Sequence, residues 1–198
     1  MVFSTFRSVI KENRKILAIS SLILVIAIVA GSITPQGEGS SVNNIFSQLY
    51  PQINQLHPYT PTMMLYILAK NSVAAATVFF LGPLLILPPV VLLLNGFVAG
   101  YVGSLAADKY SLAFAIGILA PHGVFELPAL VFAASAGIRF GIGVGRKVIR
   151  TLNREKYALT PEFMASWKLF MFALMLLLIA AVIEAYVSPW VGMQLMPS

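Results

Sequence analysis

Cysteine is absent from the 198 residues, which excludes disulfides, thiolate metal sites and a cysteine nucleophile. Charge is scarce. Lys and Arg number 13 and Asp and Glu 7, so 10% of the chain is charged, where a soluble domain carries about 25%. So few charges leave little to solvate an ordinary globule, and a soluble enzyme is not expected. Histidine occurs only as His57 and His122, so a zinc site has few nitrogen ligands to draw on. No P-loop, no G-x-S-x-G, no coiled coil, no internal repeat and no low-complexity tract is found.

What is present is apolar. Hydrophobic residues make up 59% of the chain, mostly in long uncharged runs. The net charge of +6 is not a patch on a polar domain. Its basic residues flank the apolar runs, where they set topology and meet anionic head groups, so no nucleic-acid partner is expected. The partner implied is the lipid bilayer.

The first run, Ile16 to Ile33, follows Arg7, Lys11, Arg14 and Lys15. Its 18 residues make ~27 Å of helix, enough for a hydrocarbon core of ~30 Å. A signal-peptide core is usually only ~7–15 residues, so this run reads as an anchor helix. Residues 34–61 hold no Lys or Arg and read as an extracytoplasmic loop or an interfacial cap, with Ile45, Leu49, Ile53 and Leu56 at helical spacing. Asn71 to Ala107 lacks charge and exceeds one crossing. Gly82, Pro83, Pro88 and Pro89 divide it, and the second helix opens around Val90.

Ser111 to Gly145 contains Pro121-His122-Gly123-Val124-Phe125-Glu126-Leu127-Pro128. Two prolines and a glycine predict a broken or re-entrant segment at residues 121–128. Residues 146–160 form a basic cytoplasmic loop with Arg146, Lys147, Arg150, Arg154 and Lys156. Thr160-Pro161-Glu162 reads as a helix start, with Thr160 as N-cap, and the last apolar run ends near Tyr186. Tyr186 and Trp190 suit the membrane interface.

The expectation is an all-α polytopic bundle, one integral membrane domain over residues 1–198, with about five net crossings. The positive-inside rule puts the N-terminus in the cytoplasm and the C-terminus outside the cell membrane.

Polar groups within apolar runs are the candidates for a mechanism. They are His122, Glu126, Arg139 and Glu184, with Asn71 and Asn95 as neutral partners. On a helix, His122 and Glu126 share a face. The pair could carry a proton or cation, or it could brace the broken segment. Two ligands do not make a zinc site, and no metal or cofactor is expected. Gly96, Gly100, Gly123, Gly137, Gly141 and Gly145 suit close helix packing. Arg139 is expected near the cytoplasmic end, snorkelling to water. Glu184 is expected to pair with Lys70 or Lys109. Ser135 has no convincing partner set.

Asn95-Gly96 with Gly100, then Pro121-His122-Gly123 with Glu126-Leu127, then the glycines from Gly137, resemble the stage II sporulation protein M family. Asn71 fits the same pattern. The resemblance covers roughly Asn71 to Gly145, and its most specific element is H-G-x-x-E. It implies a polytopic membrane protein of bacterial and archaeal distribution. The sporulation member looks like a scaffold for peptidoglycan-remodelling partners, a role that does not transfer to a family this wide. The first reading is a non-catalytic scaffold or membrane-complex subunit that associates with itself or with other membrane proteins, supported by the glycine stripes and the small cap. A transporter or channel with an intramembrane site at His122 and Glu126 is the second reading, its ligand unspecified. An intramembrane hydrolase is the third.

Overall fold

The computed structural model describes residues 2–35 and 59–195, with the backbone alone at some positions, His122 among them. Most of the expected cap at 34–61, His57 included, lies outside the described residues.

With no proline before Pro35 and no glycine before Gly31, the basic segment and the first apolar run join in one helix, α1 (Val2–Ser32). Helix α2 (Pro61–Phe80) opens with Pro61 in its first turn, where a missing N–H costs nothing, and the Thr60 side chain accepts from the Met63 N–H at 3.2 Å. A 3-10 turn at Gly82–Leu84 and left-handed Leu85 (φ 55°) reverse the chain. Helix α3 (Leu87–Lys109) follows. It opens three residues before the expected Val90, because Pro88 and Pro89 fit its first turn instead of blocking it.

Helix α4 (Leu112–Leu152) is 41 residues long and is capped by Ser111, which accepts from the Phe114 N–H at 3.1 Å. Here the structure departs from expectation: the backbone stays helical through residues 121–128, with no break and no re-entrant loop. Each proline deletes only one i→i−4 hydrogen bond, and intact turns on both sides carry the helix across. At ~1.5 Å per residue the helix is about twice as long as the hydrocarbon core is thick. Gly123–Leu152 within it is long and apolar enough to span a membrane. Helix α5 (Thr160–Tyr186) and the short α6 (Ser188–Leu195) complete the chain. Thr160 is the first helical residue and not a side-chain cap, while Pro161 lies in the first turn.

Every element among the described residues is thus helical, and five helices are long and apolar enough to cross a membrane. The chain is an all-α, multi-spanning membrane protein.

Helix α4 is the hub, touching each of the other helices. In its most apolar window 61% of residues are buried, against 22% in α1, α2 and α3, which turn wide faces of Ile, Leu and Val outward to lipid. Two seams hold the bundle. Helix α1 lies on α3 where Gly96 and Gly100 remove the side chains: a Cβ at Gly100 would overlap the Ile28 carbonyl, and one at Gly96 would lie 2.8 Å from the Ala27 Cβ. Helices α2, α4 and α5 meet through aromatic rings. Phe79, fully buried, stacks on Phe170 at 4.8 Å and on Phe140 at 5.6 Å, with Trp167 edge-on at 5.9 Å.

Candidate functional site

A cluster of charged groups lies at one end of the bundle, where α1 and α5 start and α4 approaches its finish. Arg139 of α4 is the centre. Its Nη2 donates to Glu12 Oε1 at 2.7 Å, its Nη1 to Asn13 Oδ1, and its Nε to Glu162 Oε2 at 3.2 Å. One guanidinium thereby ties three helices. Asn13 is buried, and its Nδ2 donates to the Val9 carbonyl at 2.8 Å, which fixes the amide with its oxygen toward Arg139. Glu162 also accepts from Arg146 Nη1 at 3.3 Å and from the Tyr157 hydroxyl at 3.4 Å.

The members differ in worth because they differ in exposure. The side chains of Arg139 and Glu162 are 16% and 20% exposed, so water screens their pair weakly. Glu12 is 55% exposed and contributes as a surface partner does, at most ~1 kcal/mol. A cleft of about 180 Å³ adjoins the cluster, lined by Ile16, Arg139, Ile142, Arg146 and Glu162. Arg139 was expected only to snorkel. The sequence could not show its partners because Glu12 and Glu162 are 127 and 23 residues away.

A second polar link lies deeper. Ser135 of α4 donates to Ser20 of α1 at 3.0 Å, both hydroxyls being fully buried. The partner of Ser135 is another hydroxyl, not a base, 115 residues away in sequence.

The polar residues singled out from the sequence are spread over four helices. Asn71 is half-buried on α2, and Glu126 is half-buried on α4, four residues after His122 on the same helix. Asn95 is exposed on α3, and its Nδ2 donates back to the Val91 carbonyl of its own helix at 2.8 Å. Lys70 lies midway along α2 and Glu184 near the end of α5. Lys109 sits 5.3 Å from the centre of the Tyr110 ring. Among the glycines, Gly137 and Gly141 receive the turn at Gly82, and a Cβ on Gly141 would overlap the Gly82 carbonyl. Gly145 faces open space, and Gly123 has only Leu127 of its own helix at 3.8 Å, so neither makes a close interhelical contact. No group of three His, Asp or Glu able to hold a metal ion occurs among the described residues.

Five apolar helices around a polar tie define a multi-pass integral membrane protein. Residues 19–189 match the family model of stage II sporulation protein M, and the chain belongs to that family. It is also similar to two proteins of Methanocaldococcus jannaschii. Uncharacterized protein MJ0793 is 31% identical over 107 residues, covering 53% of this chain and 58% of that protein. Uncharacterized protein MJ0706 is 28% identical over 91 residues, covering 46% of this chain and 42% of that protein. The chain thus spans about half the length of these curated relatives. No solved structure matches it.

Proposed function

We propose that the chain is a scaffold or complex subunit of the membrane, without a catalytic step of its own and able to self-associate. The observation that carries this reading is the Arg139 cluster. The Arg139 guanidinium donates to Glu12, Asn13 and Glu162, side chains of α1 and α5. Such an arrangement fastens helices together. The serines at Ser20 and Ser135 serve each other in the same way.

The orientation belongs to the same proposal. The Arg139 bond to Glu12 brings the basic start of α1 and the basic end of α4 to one end of the bundle. Under the positive-inside rule that end faces the cytoplasm and the C-terminus lies outside.

The transport reading rests on Glu126, a half-buried carboxylate within the fourth span. Because the chain lacks cysteine, one experiment separates the two. Single substitutions Gly123→Cys and Glu126→Cys are made, and each variant is exposed in sealed, oriented vesicles to a membrane-impermeant thiol reagent. A scaffold packed in protein and lipid stays unlabelled until detergent is added. Labelling from one side in intact vesicles reveals a water-filled path and overturns the scaffold reading in favour of transport.

A further inference from the structure

The carboxamide of Asn95 stands where a membrane protein rarely leaves one. It lies eight residues from the start of α3 at Leu87 and fourteen from its end at Lys109, roughly 12 and 21 Å along the helix, hence within the hydrocarbon layer. Its side chain is exposed on the bundle surface, as is that of the adjacent Leu94. Another face of α3 is spent on α1 through Gly96 and Gly100.

An amide offers two donors and a carbonyl acceptor. Asn95 uses one donor on the Val91 carbonyl, its own turn, and this leaves an N–H and the Oδ1 to face lipid. Exposed Thr77 on α2 shows the contrast: its single O–H goes to the Val73 carbonyl at 2.8 Å, which exhausts its donors. Acyl chains supply neither donor nor acceptor, and lipid ester groups lie at the interface, above this depth. An amide held there without partners is costly, and Asn side chains in spanning helices meet the cost by bonding across to another helix.

We infer that Asn95 marks a self-association surface, on which two copies of this chain pack α3 against α3. The choice of a second copy follows from the chemistry. A carboxamide is complementary to itself, because each can donate its remaining N–H to the other's Oδ1. Two copies inserted in the same orientation and related by a twofold axis along the membrane normal bring Asn95 to the same depth automatically. Leu94 and Val98 then surround the amide pair with apolar contact. This inference rests on the self-association in the proposed function and gives it a place.

The test uses the cysteine-free chain. Leu94→Cys and Val98→Cys on the α3 face, and Leu178→Cys on the lipid-facing side of α5, are each reconstituted at low protein-to-lipid ratio and treated with a short membrane-permeant bis-maleimide. The expected result is covalent dimer at Leu94 and Val98 and monomer at Leu178. Adding Asn95→Leu reduces the dimer at least tenfold, whereas Asn95→Gln, which keeps the amide, retains it. Thermal melts in detergent confirm that each variant is folded. Dimer unaffected by Asn95→Leu overturns the inference. Dimer through Leu178 alone overturns this surface but leaves self-association standing. Monomer throughout overturns this surface, while self-association through another face and a scaffold for other proteins survive.

Discussion

The two seams of the bundle solve one problem in opposite ways. Lipid is as apolar as leucine, so the hydrophobic effect does not press helices together within the membrane, and contact has to come from close packing and polar links. The α1–α3 seam achieves contact by subtraction. Gly96 and Gly100 carry no side chain, so the two backbones approach until the Ile28 carbonyl occupies the space of a Cβ. The seam of α2, α4 and α5 achieves it by addition. Phe79, Phe140, Phe170 and Trp167 fill the gap with rings, and the Arg139 cluster bolts α4 and α5 to the start of α1 at one end. A seam made of absent atoms cannot yield when something is added. A seam made of large rings fails when something is removed.

That contrast predicts a hierarchy of substitutions. Gly100→Leu should be the most damaging, since the obstacle is backbone and cannot rotate aside. A loss of about 3 kcal/mol or more is expected, with separation of α1 from α3, read as a lowered unfolding midpoint in detergent. Survival of Gly100→Leu at wild-type stability would show that the seam opens freely and would remove the contrast. Phe79→Ala comes next. In lipid only the cavity term applies, and at ~24 cal/mol per Å³ a void of roughly 100 Å³ costs about 2 kcal/mol. The Arg139 cluster sharpens the comparison further. Glu162→Gln removes the better-buried carboxylate and should cost about 2 kcal/mol, a buried-pair value reduced for its partial exposure. Glu12→Gln, at a largely exposed partner, should cost under about 1 kcal/mol. Equal losses for the two glutamates would mean that burial does not grade this cluster.

Five spans were legible in the sequence because length and the absence of charge suffice to read them: a run such as Ile16 to Ile33 has one environment in which it is stable. The prolines were legible only in part. Pro83 lies in the turn between α2 and α3, and Pro88 and Pro89 in the first turn of α3. Pro121 and Pro128 are the same residue type in a similar setting, yet α4 continues through them. A proline weakens a helix locally, and whether the helix then breaks depends on how firmly its flanking turns are held by neighbours, which is not written nearby in the chain. The glycines divide likewise. Gly137 and Gly141 meet the turn at Gly82, whereas Gly145, next in the same spacing, meets nothing.

The candidate site shows the boundary most sharply. The sequence identified Arg139 as a charge near the end of an apolar run but gave it no partner, and it gave Ser135 none either. Both partners stand on other helices, brought close only when α1 and α5 settle against α4. By itself the sequence determined that this chain belongs in a membrane, how often it can cross, and which end of the bundle carries the basic residues. These follow from transfer free energies, which act on each segment regardless of its neighbours. Only the tertiary structure decided which glycines are contacts, which prolines are breaks and where each buried polar group finds its hydrogen bonds. These depend on distances between segments far apart in sequence, and side-chain chemistry alone does not fix such distances.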